Sequence, residues 1–85
     1  MKNKGEEITM ESNSRPLDTL NKARDKKVII ELKNGKQIRG TLIAFDIHIN
    51  IVLEDAEEYQ DNELKRKFGS TFIRGDTIIL ISPSE

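Results

Sequence analysis

The spacing of apolar residues predicts a short helix near the start of the chain. Leu17, Leu20 and Ala23 recur three residues apart, as they would on one face of a helix. Pro16 suits the first helical turn, because its missing N–H needs no partner there, and Ser14 or a neighbouring residue is placed to cap that turn. A helix this short is not stable alone. Its apolar face is therefore expected to pack on the rest of the domain.

From Lys27 onward the apolar residues alternate with a period of two, which predicts β-strands. Five strands are predicted: Lys27–Lys33, Lys36–Asp46, Asn50–Glu54, a fourth that ends at Ile73, and Thr77–Ile81. Asn34-Gly35 predicts a hairpin between the first two, because both positions of a tight turn need positive φ. Gly40 predicts a sharp bend or a close backbone approach. The fifth segment is almost wholly apolar, which is typical of a strand buried on both faces.

These elements predict a mainly β fold: a short N-terminal helix followed by a five-stranded antiparallel meander. A strongly bent meander of this size commonly curls into a small barrel. Residues 54–63 carry six acids and no bases, and are expected to form a solvated loop or frayed strand ends. Residues 1–13 are polar without a clear period, so they are predicted to be a disordered tail in front of a domain spanning residues 14–83.

Composition limits the classes of function. The 85 residues suffice for one domain, 34% of them are charged, and the net charge is −1. A protein that holds duplex phosphates by bulk charge is usually basic, so any nucleic-acid site must concentrate its positive charge locally. Absence of cysteine excludes disulfides and thiolate metal sites. No apolar stretch approaches a membrane span and the first residues lack an apolar signal region, so a cytoplasmic protein without membrane contact is expected.

Two segments carry a more specific pattern. One runs from Gly35 to Leu53 and contains Asp46-Ile-His48-Ile-Asn50, and the other contains Arg74-Gly75-Asp76. Together they resemble the two motifs of the Sm and Sm-like (LSm) family, particularly its archaeal members, and the resemblance covers roughly residues 15–83. It implies the Sm fold and a homo-oligomeric ring built by strand pairing between neighbours, usually of seven subunits in archaeal members. The sequence leaves six or seven subunits open.

The resemblance implies a pore site for uridine-rich single-stranded RNA. His48 offers a flat face to the base, and Arg74 offers a guanidinium plane and a permanent charge. Asn50 carries both donors and an acceptor for the uracil edge. Asp46 can orient neighbouring donors.

The downstream motif completes the predicted site. Asp76 is expected to fix the orientation of the Asn50 amide, so that the amide reads uracil and rejects cytosine. Gly75 is expected to let the backbone approach the base closely.

A second RNA contact is implied at the helix face of the ring. Arg15, Asn21 and Phe45 fall at the corresponding positions. Phe45 stands where related proteins often carry tyrosine, so it keeps the stacking surface and lacks the hydroxyl.

The leading hypothesis is a non-enzymatic ring that serves as a scaffold or chaperone for RNA in RNA processing. The alternative is a structural or protein-interaction ring without selective RNA binding. No nucleophile motif or nucleotide-binding loop is visible, and the single His48 has no second histidine or cysteine to form a metal site. No catalytic residue, metal or cofactor is therefore predicted.

Overall fold

A computed structural model describes residues 15–84 and shows one helix followed by five strands. The elements are α1 (Pro16–Asn21), β1 (Lys27–Leu32), β2 (Gln37–Phe45), β3 (Ile51–Gln60), β4 (Glu63–Ile73), a 3-10 turn (Gly75–Thr77) and β5 (Ile78–Pro83). The strands form one antiparallel sheet in the order β4-β3-β2-β1-β5. This confirms the predicted mainly β class. The sheet is bent, but β4 and β5 lie at opposite edges and do not close it into a barrel.

The core lies on one face of the bent sheet. Its buried side chains come from alternate positions of the strands: Val28, Ile30, Ile38, Leu42, Ile51 and Leu53, with Ala56 and Ile73 beside them. Each large apolar side chain removed from water in this way contributes about 1.5–3 kcal/mol. Leu20 and Ala23 pack against this core, so the helix is held by tertiary contact as predicted.

The start of the helix differs from the expected cap. The N-cap residue is Arg15, which makes no side-chain capping hydrogen bond. Ser14 and the predicted tail of residues 1–13 lie outside the described residues.

Gly40 marks a close approach between β2 and β3. A Cβ atom at Gly40 would lie 3.0 Å from the Glu54 carbonyl oxygen and 3.1 Å from the Ala56 Cα. The register of the two strands shifts between Arg39 and Thr41. The bend predicted from this glycine therefore coincides with an irregularity in the strand pairing.

The predicted β1–β2 hairpin is present, but its turn is of another kind. Of the two residues Asn34 and Gly35, only Gly35 has positive φ, at 88°, so the expectation for Asn34 was wrong. The Asn34 side-chain oxygen instead accepts the Lys36 backbone N–H at 3.0 Å. The Leu32 N–H donates to the Lys36 carbonyl at 2.9 Å, which closes a three-residue loop ending in the left-handed glycine.

The acidic segment 54–63 forms a hairpin, so the predicted loop was wrong. β3 continues to Gln60, and Asp61 and Asn62, with φ of 53° and 64°, make the two-residue turn into β4. The reason lies in the opposite strand, where a basic run stands in register with the acids: Glu58 faces Arg66, and Glu57 faces Lys67. Opposite charges across a strand pair stabilise the pairing.

Glu58 is the most deeply placed charge of this hairpin. The residue is 5% exposed, and its carboxylate accepts hydrogen bonds from Arg66 at 2.9 and 3.2 Å. Lys36, from the β1–β2 loop, lies 3.3 Å away. The Arg66 hydrogen bond lowers the pKa of Glu58 below its usual 4.5, and this outweighs the opposing effect of burial.

We expect Glu58→Gln to lower the thermal midpoint near neutral pH. Because the pKa of Glu58 is lower in the folded chain, the pairing stabilises the fold above pH ~4.5 and is lost as the pH falls through the lowered value. The midpoints of the two proteins should therefore converge as the pH falls through the lowered pKa of Glu58. Thermal unfolding at fixed protein concentration checks this. A constant difference at every pH would show that packing, and not charge, sets the effect.

The two edge strands expose large apolar side chains. Ile79 and Leu80 of β5 are 61% and 44% exposed, and Phe72 of β4 is 83% exposed. The prediction that the fifth segment is buried on both faces was therefore wrong for the isolated chain, because β5 has a neighbour on one side only. Unpaired, apolar strand edges are sites where other chains add.

Candidate nucleic-acid interface

The loop between β2 and β3 is organised by Asp46. Its Oδ1 atom accepts the backbone N–H groups of His48 at 2.8 Å and of Asn50 at 3.1 Å. Its carbonyl oxygen accepts the Ile49 N–H at 3.0 Å. A short side chain that accepts local backbone donors is what tight turns favour. Asp46 thereby fixes the backbone positions from which the side chains of His48 and Asn50 extend.

Asp46 keeps its charge at physiological pH. The side-chain amide of Asn50 donates to its Oδ2 at 3.1 Å, and this bond, with the backbone bonds from Asn50 and His48, holds the pKa of Asp46 below its usual 3.8. The loop bonds to the carboxylate are therefore complete above pH ~4 and weaken only as the pH falls through the lowered value.

The loop between β4 and β5 presents the arginine. The Thr77 hydroxyl donates to the Arg74 carbonyl at 2.7 Å and so fixes the 3-10 turn. The Arg74 side chain is 81% exposed, and its guanidinium donates to Asp76 Oδ2 at 3.0 Å. This exposed ion pair orients the guanidinium plane more than it stabilises the fold.

Asn50 joins the two loops. Its Oδ1 accepts the Gly75 backbone N–H at 2.8 Å, and its Nδ2 donates to Asp46. A carboxylate only accepts and a backbone N–H only donates, so these two partners fix the orientation of the amide. Asp46 and Gly75 therefore hold the role that was predicted for Asp76, whose carboxylate binds Arg74 instead.

Gly75 is required by the packing of one loop on the other. A Cβ atom there would collide with the His48 carbonyl oxygen and would lie 2.8 Å from the carbonyl carbon and oxygen of Ile49. These are backbone atoms, which cannot rotate away. The close approach at Gly75 is thus to the opposite loop of the same chain.

The structure brings the predicted pore residues into one open depression of about 440 Å³. Its lining consists of His48, Asn50, Arg74, Gly75 and Asp76. Asp46 stands behind them, bonded to Asn50. All six residues predicted from the two motifs are therefore contiguous, although Arg74 lies 24 positions after Asn50 in the chain.

The residues of the predicted second contact are less closely grouped. Arg15 and Asn21 are exposed at the two ends of α1. Phe45 is half-buried, packs against the core, and lines an apolar depression of about 500 Å³ beside Asp46, Asn50 and Arg74. Phe45 thus adjoins the first site.

Two residues of the loops carry roles that the sequence did not suggest. Thr77 bonds to the Arg74 carbonyl, and the tendency of threonine to bond to a nearby backbone group is the signal that points to it. Ile49 lies in the left-handed region, with φ of 61°. No local signal predicts this, because a β-branched residue favours extended backbone.

Among residues 15–84, no helix is long and apolar enough to cross a membrane. Within the same range, no three histidine, cysteine, aspartate or glutamate side chains are grouped so that they could hold a metal ion.

The fold and the site define a small β domain that presents an imidazole, a carboxamide and a guanidinium at the joined tips of two loops. The family model for the LSM domain matches residues 18–83, so the chain belongs to the LSM-domain family. A putative snRNP Sm-like protein of Archaeoglobus fulgidus is 54% identical over 70 residues, with 82% of this chain and 91% of that protein covered.

Solved structures of Sm proteins are similar to the whole described domain. The Pyrococcus abyssi Sm protein, in complex with a uridine heptamer, matches with a TM-score of 0.80 and 48% identity over 82% of this chain and 99% of that one. A heptameric archaeal Sm protein matches with a TM-score of 0.75 and 40% identity over 80% and 98% of the two chains.

Proposed function

We propose that this protein forms a homo-oligomeric ring, a heptamer, that binds uridine-rich single-stranded RNA at its central pore in the cytoplasm. Within RNA processing it acts as a scaffold or chaperone and not as an enzyme. The observation that carries the proposal is the single depression that unites His48, Asn50 and Arg74. The solved relative that binds a uridine heptamer supports the choice of ligand.

The two strand edges support the ring. β4 and β5 lie at opposite ends of the sheet, each exposes apolar side chains, and neither pairs with the other. Pairing β4 of one subunit with β5 of the next would satisfy both edges, and such head-to-tail contacts close into a ring when the rotation permits. The heptameric relative supports the number seven.

The geometry of Asn50 supports uracil as the base. Its two internal bonds leave one amide hydrogen and one oxygen lone pair free. Uracil offers a donor between two acceptors on its pairing edge, so the locked amide can match it. Cytosine instead carries an acceptor at N3 and a donor at its exocyclic amino group, so pairing with that part of its edge in the same position would require the amide to flip.

Stacking and charge complete the pocket. His48 and the guanidinium of Arg74 offer flat faces to a base, and stacking contributes about 1–3 kcal/mol per base. In a ring, one Arg74 per subunit gives a local positive field at the pore although the chain has a net charge of −1.

Native mass spectrometry at low salt, with oligouridine and with oligocytidine as the control, tests the proposal. We expect a closed homo-oligomer that takes up oligouridine selectively. A ring that binds neither strand would favour a structural or protein-interaction ring, and a monomer would rule out the proposed assembly.

Asp46→Asn is expected to reduce base selectivity while the loop persists. The new amide oxygen can still accept the His48 and Asn50 backbone N–H groups. Its NH₂ group would then oppose the NH₂ of Asn50, so the amide of Asn50 keeps the Gly75 N–H and loses the other of the two bonds that fix its orientation. The affinity ratio of oligouridine to oligocytidine should fall about fivefold or more, since a two-bond base contact gives roughly 1–3 kcal/mol of discrimination.

The matched control is Asp76→Asn, which changes the charge by the same amount without touching the amide of Asn50. Fluorescence anisotropy with both oligonucleotides measures the ratio for each variant. Equal losses of selectivity in the two variants would count against the role of Asp46.

A further inference from the structure

Ile49 adopts a backbone conformation that its side chain opposes. Five residues other than glycine have positive φ among residues 15–84, and four of them are aspartate or asparagine, which tolerate it: Asp25, Asp55, Asp61 and Asn62. Ile49 is the β-branched exception, with φ of 61°. Such a residue costs about 1–3 kcal/mol and persists only where its surroundings impose it.

The surroundings that impose it lie on two sides. The half-buried Ile49 side chain packs against the hydrophobic core and so anchors the middle of the loop. On the other side, the backbone of Ile49 and the His48 carbonyl rest against Gly75, where no Cβ atom would fit. The loop is thus held between the core and the opposite loop.

The two neighbours of Ile49 are the residues proposed to contact the base. Asn50 follows it and bonds to both Asp46 and Gly75. His48 precedes it, with its backbone N–H on Asp46. Because a change of φ at Ile49 rotates one neighbour relative to the other, the conformation of this residue sets the geometry between the stacking face and the base-reading amide.

We infer that Ile49 is a positioning residue for the uridine site: its apolar anchor holds the loop in the left-handed conformation and so presets His48 and Asn50 before RNA binds. This inference rests on the proposed function for its RNA readout only. The order of the loop can be measured without RNA.

Three variants test it: Ile49→Ala, Ile49→Leu and Ile47→Ala. The first removes the anchor and leaves the left-handed conformation unfavourable. The second keeps an apolar anchor and removes the β-branch. The third makes the same change two residues away, where the side chain is 74% exposed. Native mass spectrometry confirms that each variant assembles.

The RNA-free readout is hydrogen exchange at the backbone amides of Asn50 and Gly75, whose acceptors are Asp46 and the Asn50 side chain. We expect faster exchange at both amides in Ile49→Ala, and exchange like that of the unmodified protein in Ile49→Leu and Ile47→Ala. Unchanged exchange in Ile49→Ala would overturn the inference, whatever its effect on RNA.

The RNA readout is affinity for oligouridine. Ile49→Ala should bind roughly tenfold more weakly, the factor that corresponds to about 1.4 kcal/mol of added cost for ordering the loop on binding. Ile49→Leu should restore the affinity. Weak binding by Ile49→Leu, to the same extent as Ile49→Ala, would contradict the anchor.

The two proposals fail in different ways. If the unmodified ring binds no oligouridine, the proposed function fails, while the exchange data still decide the role of Ile49. If Ile49→Ala does not assemble, Ile49→Val, compared with Ile47→Val, repeats the exchange measurement with one methyl group removed from the anchor.

Discussion

Arg74→Ala is expected to weaken oligouridine binding by roughly tenfold or more, since a lost stacking contact costs about 1–3 kcal/mol per base. The guanidinium is exposed at the loop tip and contacts Asp76 alone among the described ion-pair partners. It lies outside the β4 and β5 edges, so the ring should remain intact. Fluorescence anisotropy and native mass spectrometry measure the two properties on the same preparation.

Two further variants separate stacking from charge. Lys67→Ala removes one positive charge per subunit from the outer part of β4, where Lys67 stands opposite Glu57, and should leave affinity nearly unchanged. Arg74→Lys keeps the charge and loses the planar surface. Compared with Arg74→Ala, its binding of oligouridine should regain part of the dependence on salt concentration but little of the affinity that comes from stacking. If Lys67→Ala were as damaging as Arg74→Ala, general charge and not the site would account for binding.

Gly75→Ala is expected to impair both the fold and RNA binding. The added methyl group would collide with the backbone of His48 and Ile49, which has no rotamer to change. Forcing an extra group into such a contact typically costs about 1–3 kcal/mol. The two loops must separate. This breaks the hydrogen bond from the Gly75 N–H to Asn50 and moves apart the residues that line the depression. Thermal unfolding at fixed protein concentration and anisotropy with oligouridine check the two effects.

Gly35→Ala is the control for this loss of stability. Gly35 has φ of 88° with open space around it, so alanine there strains the backbone without a collision. It should lower the thermal midpoint by the equivalent of roughly 1 kcal/mol and leave oligouridine affinity unchanged. Normal RNA binding by Gly75→Ala would show that the contact between the two loops is not needed for the site.

The sequence by itself determined the succession of elements and the residues of the site. Alternation around Val28 and Ile30 predicted β1, because the side chains of a strand alternate between its faces. Gly40 predicted the close approach in β2, since little but glycine fits there. The residues of both motifs were identified from their pattern; the structure places five of the six in one depression, and the sixth, Asp46, is bonded to Asn50.

The tertiary structure alone decided which residues lie opposite one another. The acidic segment became a strand because the basic run of β4 stands across from it, and Glu58 is buried because Arg66 and Lys36 converge on its carboxylate. Local periodicity reports which face of a segment is apolar, but it does not report the register of a partner many residues away.

The same reason explains the details of the site. Asn50 takes its orientation from Asp46 and from Gly75, and the second of these is 25 residues distant. Ile49 is left-handed because the core and the opposite loop both act on it, against its own preference. The sequence thus determines which residue types are available for base recognition, whereas their orientations result from the packing of two loops that are distant in sequence.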